Sequence, residues 1–397
     1  MMIKQLPIKK LIFIINLVFM AAVFLAAGDP AWAAPKAELP KILYWGCRYV
    51  GSSLYTIPAT MAEKVGPAMG VKIRMIPGED MEMISMLRAG RIHLATFAAD
   101  NYWASMGLVN YASFAVGPQP LRLIWPGWPT GGGSTGLASK TSGIKTPYDL
   151  KGKTVVRVVG AAWSEQGIKA QLAFGNLTYA DVKVVEVSST GGTLKALAEG
   201  KADYTTGSVT APGAYEVEAS PYGLAIVAFP FEDKEGWKRM RKIVPYFAPG
   251  FSEEGAGIEK GHPVPTPMYA WPVTTALEKQ SPDLVYAITK AIYNNIEDIA
   301  KSYKPNESML PKRAIRPEST EMAPFHVGAI KFLKEVKLWT PEIDRANNAK
   351  LAQLKKVNEL WEKFTEESEQ QMAKTGKAVD PLKAWPPLVE QKVGLTP

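Results

Sequence analysis

Two stretches of this chain carry the same phrase. Met83–Phe97 reads MISMLRAGRIHLATF, and Thr193–Val209 reads TLKALAEGKADYTTGSV. Aligned on Gly90 and Gly200, each is an apolar helical run ending at a glycine, then a short turn and a strand. The strand opens into a polar loop, Ala99-Asp100-Asn101 in one copy and Gly207-Ser208-Val209-Thr210 in the other. A solenoid needs three or more stacked units, so two copies predict two similar α/β lobes. Paired lobes leave a cleft between them, and clefts of that kind take small ligands.

The N-terminus predicts where such a cleft works. Lys4, Lys9 and Lys10 precede an apolar run from Leu11 to Ala27, broken only by Asn16, and Ala31-Trp32-Ala33 follows. Basic flank, apolar run and A-x-A site together read as a cleaved signal peptide over residues 1–33, which places the mature protein in the periplasm. An uncleaved anchor is the alternative, because the run approaches the length of a membrane span. Losing three Lys and one Asp with the leader lowers the formal charge from +8. The remaining charges are interspersed without like-signed blocks, which argues against nucleic acid as a partner. Cys47 is the one cysteine, so no internal disulfide forms.

Much chemistry is excluded. His93, His262 and His326 are far apart and lack ligand-pair spacing, so no metal and no cofactor is expected. The glycines at 131–133 lack the G-K-[ST] ending of a phosphate loop, and no G-x-S-x-G elbow occurs. Ser142-Gly143-Ile144-Lys145 fits S-x-x-K and Lys374-Thr375-Gly376 fits K-T-G, the marks of exported penicillin-binding serine enzymes. That chemistry needs Ser142 at a helix start with Lys145 one turn on, and Gly143 and Pro147 oppose the helix. No catalytic residue is expected.

Strand–loop–helix alternation runs through the chain, with strands expected at Lys41–Gly46, Val71–Ile76, Leu121–Pro129, Thr154–Val159, Val182–Val187 and Pro272–Ala276. Residues 219–270 read as irregular. At the strand ends lie small, amide-rich loops, several of them just before helices, where free N–H groups and the absence of bulky side chains suit ligand binding. They nominate Arg48, Gly51, Ser52, Ser53, Tyr55, Glu79, Asp100, Asn101, Trp163, Ser164, Ser188, Ser189, Ser208 and Thr210 as ligand-binding residues. Arg48, at the end of the first strand, could grip a carboxylate with two prongs; a surface salt bridge is its other reading. Trp163 could stack on the ligand.

The order of these motifs resembles the TAXI-type solute-binding proteins of TRAP (tripartite ATP-independent periplasmic) transporters. The resemblance runs from about Lys41 to Trp339. It is carried by Gly51-Ser52-Ser53-Leu54-Tyr55, LRAGRIHLA with Asp100, GIKTPYDLKGKTV, LAEGKADYTTG with Pro212, DLVYAITKAIYNN at 283–295, and His326–Phe332. Val327 stands where the family usually has Pro. The resemblance implies an α/β, type II periplasmic binding protein: two doubly wound lobes joined by a strand hinge. Lobe I would comprise 39–140 plus 266–339 and lobe II 141–265. It also implies capture of a small organic anion, a carboxylate or amino acid, for the membrane permease subunits of a TRAP transporter. An ABC importer is the alternative partner, and an exported serine hydrolase the alternative from another class.

Residues 340–397 form a C-terminal extension. Thr340 is a good N-cap with Pro341 at the first helical position, and Leu351, Leu354, Val357, Trp361 and Phe364 repeat at three- and four-residue spacing. This amphipathic stripe needs cover, from the chain's own lobes first, then from a homodimer through the helix, or from the permease. The Pro-rich residues 376–397 read as loop.

Overall fold

In the computed structural model the described residues are 39–48, 52–131, 134–159 and 161–394. The leader expected at 1–33 and the nominated Gly51 lie outside them. No described helix is long and apolar enough to cross a membrane.

The first half runs β1 (Ile42–Cys47), α1 (Ser53–Met69), β2 (Lys72–Pro77), α2 (Asp80–Arg88), β3 (Leu94–Phe97), α3 (Asp100–Met106) and β4 (Leu121–Pro126). The second runs β5 (Thr135–Ser139), β6 (Thr154–Val158), α4 (Ala162–Phe174), β7 (Lys183–Val187), α5 (Thr190–Ala198), β8 (Tyr204–Gly207), α6 (Pro212–Ala219) and β9 (Leu224–Val227). β10 (Ala248–Ser252) and β11 (Val264–Met268) form an antiparallel ribbon. The chain then returns through β12 (Val273–Leu277), α7 (Pro282–Asn294) and α8 (Val327–Glu335), and ends in α9 (Pro341–Thr375) and α10 (Pro381–Lys392).

Two five-stranded sheets result, ordered β2-β1-β3-β12-β4 and β7-β6-β8-β5-β9. The repeated phrase occupies matching places: α2–β3–α3 in one lobe, α5–β8–α6 in the other. Both repeat glycines take left-handed φ, 68° at Gly90 and 69° at Gly200, the conformation a helix stop of this kind requires. At Gly200 a Cβ would also fall 2.1 Å from the Tyr222 ring. The inner strands β3, β8, β5 and β12 are buried along their whole length, while the edge strands β2 and β7 expose Lys72, Arg74, Lys183 and Glu186. Polar side chains on an edge strand keep its open hydrogen bonds from recruiting another chain.

Each sheet has one antiparallel strand that arrives from the other lobe. β12 lies between β3 and β4, and β5 between β8 and β9. The lobe boundary expected after residue 140 is therefore earlier, because Thr135–Ser139 pairs within the second sheet; the crossing segments are 127–134 and 269–272. They bond to each other, Gly127 N–H to Pro272 O at 2.7 Å and Trp271 N–H to Gly127 O at 2.9 Å. A Cβ at Gly127 would sit 2.6 Å from the Trp271 carbonyl oxygen. In the first lobe Trp45 donates from Nε1 to Thr96 Oγ1 at 2.9 Å, and Thr96 Oγ1 meets Thr274 Oγ1 of β12 at 3.1 Å. In the second, Gln171 of α4 donates to Ser134 O at 2.7 Å, which pins the end of one crossing.

Two expectations need correction. Residues 219–270 are not irregular throughout: they hold β9, a helix at Lys234–Arg241 and the β10–β11 ribbon. Residues 376–397 are not all loop, since α10 forms over Pro381–Lys392 despite Pro386 and Pro387 within it. Thr340 caps α9 as expected, its side chain accepting from Ile343 N–H. Leu354, Val357 and Phe364 are buried, and Trp361 lies against Trp385 of α10 with ring centroids 4.8 Å apart. The stripe is thus covered within the chain, which removes the argument that it must meet a second copy. Trp385 is fully buried and donates from Nε1 to Met106 O at 3.3 Å. Trp385→Ala should lower the unfolding free energy by about 3–5 kcal/mol, as large buried aromatics do when truncated, read as a shifted urea midpoint.

Candidate functional site

The carboxyl ends of both sheets open toward each other across a cavity of two adjoining chambers, about 550 and 420 Å³. Arg48, Glu79, Trp163 and Ser189 line both. Loops after β1, β2 and β3 supply one wall, and loops around α4, α5 and β8 the other. Both copies of the repeat therefore face the same space.

The nominated residues divide three ways. Ser52 and Ser53 line the larger chamber from the start of α1, with Ser53 Oγ 3.3 Å from Tyr303 Oη. Ser208 joins them from the end of β8, and Ser188 and Asp100 line the smaller chamber. Thr210 lines a neighbouring hollow instead, held by Ser208, whose Oγ is 2.9 Å from its Oγ1. Tyr55, Asn101 and Ser164 do not line the cavity. Tyr55 is half-buried on α1. Asn101 is fully buried and donates from Nδ2 to Met322 O at 3.1 Å. Ser164 is fully buried, its Oγ accepting from Val158 N–H at 3.0 Å. Both side chains bond to backbone groups, Asn101 to a segment distant in sequence and Ser164 to the end of the preceding strand.

Arg48 departs furthest from expectation. Its guanidinium is not free for a ligand carboxylate: it pairs with buried Asp80 and, at the surface, with Glu79, whose side chain is 55 % exposed. It donates from Nε to Asp80 Oδ1 at 3.0 Å, from Nη2 to Asp80 Oδ2, and from Nη1 to Glu79. The Arg48–Asp80 contact is the two-pronged geometry of a strong charge-assisted pair, turned inward. Asp80 is 5 % exposed. Burial, then the neighbouring charge of Asp100, hold its carboxyl well above the usual carboxylate range, against the pull of Arg48. Asp100 is 7 % exposed; its Oδ1 accepts from Tyr111 Oη at 3.3 Å, and its carboxyl also accepts from the protonated Asp80 carboxyl beside it. The Cys47 thiol beside this cluster is fully buried, and burial pushes its pKa up to about 11, which leaves it unreactive.

Asp80, Tyr269 and Trp271 line the cavity without having been nominated as ligand-binding residues. Tyr269 and Trp271 lie on the return crossing and line the larger chamber. Tyr269 stands on a buried aromatic stack, 5.3 Å from Tyr246, which is 5.0 Å from Tyr102 of α3. Asp80 carried a signal, since a carboxylate in a helix's first turn is ordinary but one beside a lone arginine at the preceding strand's end is a pairing candidate.

Residues 49–336 match the NMT1-like family over well more than half of the chain. The chain belongs to the NMT1-like family. Solved structures similar to this NMT1-like protein are distant. An ancestral arginine-binding protein bound to arginine is 18% identical, with 67% of this chain and 99% of that one covered and a TM-score of 0.40. PhnD1 from Prochlorococcus marinus, in complex with methylphosphonate, is 12% identical, with 76% and 100% covered and a TM-score of 0.45. A putative periplasmic sulfonate-binding protein, SsuA from Methylobacillus flagellatus, is 16% identical, with 76% and 97% covered and a TM-score of 0.45. No curated protein matches the chain.

The ion pair sets two expectations. Arg48→Ala removes a hydrogen-bond donor from a buried carboxyl and should cost about 1–3 kcal/mol of stability, measured by chemical denaturation. Because the folded pKa of Asp80 is raised, its contribution is fully present below the ordinary carboxylate range and lost as pH rises through the raised value. Asp80→Asn should flatten that fall in melting temperature as pH rises above the ordinary carboxylate range.

Proposed function

We propose that this NMT1-like protein is an extracytoplasmic solute-binding protein. Its two lobes close over a small molecule and present it to a membrane permease. The observation that carries the reading is the cavity itself, walled by equivalent loops of two similar lobes that are tethered through paired crossing segments. Family membership supports it, and the basic-apolar-small pattern of residues 1–33 supports export. The motif order supports a TRAP-type permease of the TAXI class as the partner, with an ABC importer as the alternative.

Binding is favoured over hydrolysis by the place of Ser142. It closes a short turn at Lys140–Ser142, donates from Oγ to Ser139 O at 2.6 Å, and is followed by Gly143 at φ 71°. The chain leaves the helical path before Lys145, so the serine and lysine do not share a helix face.

A ligand that touches both lobes stabilises the closed form by its differential affinity for that form. Small-angle scattering of the protein, first stripped by denaturation and refolding and then recombined with the small molecule recovered from it, should show a smaller radius of gyration when loaded. An identical profile for the stripped and saturated protein, at a concentration where calorimetry records binding, would refute lobe closure.

A further inference from the structure

We infer that the cleft takes an uncharged aromatic solute, seated in the larger chamber among Trp163, Tyr269 and Trp271; this deepens the solute-binding reading and rests on it. A charged ligand leaves water only where an opposite charge or several hydrogen bonds replace its hydration. The larger chamber offers neither. Among the described residues its lining carries two charged side chains, Arg48 and Glu79, and these pair with each other. Arg48 also turns Nε and Nη2 to Asp80, so the edge that would grip a carboxylate is filled. The hydroxyls are engaged as well. Ser53 Oγ lies 3.3 Å from Tyr303 Oη, and Ser208 Oγ lies 2.9 Å from Thr210 Oγ1. Ser189 Oγ accepts from Gly192 N–H at 3.2 Å, and Thr206 Oγ1 from Gln171 Nε2 at 3.1 Å. A hydroxyl so engaged can add one more hydrogen bond, which orients a neutral polar handle but does not offset the desolvation of an ion. Two of the helix starts at the chamber are closed to an anion too: Ser189 caps α5, and α6 begins with Pro212, which has no N–H.

What the chamber does offer is apolar and aromatic surface from both lobes and from the crossing between them. Leu54 of α1 comes from one lobe, and Leu194 of α5 and Trp163 of α4 from the other. Tyr269 and Trp271 come from the return crossing. Tyr269 is packed in place by the Tyr246–Tyr102 stack beneath it, and an aromatic face already ordered costs little further entropy on binding. Aromatic rings gain from edge or offset contact with one another beyond the area they bury. At about 550 Å³ the chamber falls within the span of small-ligand sites, about 300–1,000 Å³. A ring held between Trp163 and the crossing would meet both sides of the cleft, the differential contact that closure requires. The sequence pointed to an organic anion through Arg48; with Arg48 engaged by Asp80, that argument falls.

The test is calorimetric titration of the stripped protein with indole, p-cresol and benzamide, set against 1-hexanol, L-glutamate, succinate and putrescine. Mass spectrometry of the small molecule carried by the protein as purified accompanies it. Binding of an uncharged aromatic, or recovery of one, is the expected result. Its affinity should change less than about twofold between about 0.02 and 0.5 M NaCl, because salt screens charges and not rings. Trp163→Ala should weaken it at least about tenfold and Trp163→Phe about threefold or less. Trp163→Leu, which keeps an apolar side chain without an aromatic face, serves if Trp163→Ala does not fold. Tighter binding or recovery of a charged compound, or of an uncharged one without an aromatic ring, overturns the inference and leaves the solute-binding reading standing. Unchanged affinity in the Trp163 variants, or a steep fall in affinity with salt, overturns the inference as well. If the panel gives no heat and no small molecule is recovered, the solute-binding reading itself fails, and the inference with it.

Discussion

The fold depends on an exchange of strands. β5 and β12 each enter the opposite lobe's sheet and lie between two of its strands, antiparallel to them. An inner strand hydrogen-bonded on both sides cannot be lost without opening the sheet. The two passages that deliver these strands run so close that Gly127 has no room for a side chain. Position, spacing and facing of the lobes all follow from this, as does the convergence of loops from both sheets on one cavity. A closure of the lobes would bend only a few residues at the crossings, the geometry of a hinge.

How much of this was legible depended on whether a feature was local. The repeat foretold two similar lobes because a glycine stop, a turn and a buried strand are all written within a dozen or so residues, close to the periods that pattern reading detects. β3 and β8 stood out through their place in the repeat, since β8 reads YTTG and is not an apolar run. The β10–β11 ribbon did not: Pro249, Pro265 and Pro267 sit inside it, and proline ordinarily demotes a segment from strand. A two-stranded ribbon has only edges, where a missing N–H can face away from the ladder. α10 was hidden in the same way by Pro386 and Pro387.

The cleft shows the same division. Ser52, Ser53, Ser189 and Ser208 were found from loop composition, and the structure brings them to the cavity. Asn101 and Ser164 have the same composition and turn inward instead, Asn101 to the carbonyl of Met322 and Ser164 to the N–H of Val158 at the end of β6. Arg48 illustrates a deeper limit. Whether an arginine greets a ligand or a neighbour is decided by what folds beside it, and Asp80 is distant in sequence. The pair takes up the guanidinium that its loop position alone offered to a ligand.

The C-terminal helices bear on the cleft from behind. α3 carries Asp100 at its first turn, while Lys350 of α9 lies with Nζ 4.6 Å from the centre of the Tyr102 ring and Trp385 of α10 bonds to the carbonyl of Met106. The short helix that sets the cavity's acidic floor is therefore splinted along its length by an appendage outside both lobes. A relative that lost or exchanged this appendage would have to re-seat Asp100 by other means. Drift in the extension is consequently coupled to drift in what the cleft accepts, although the two share no ligand contact.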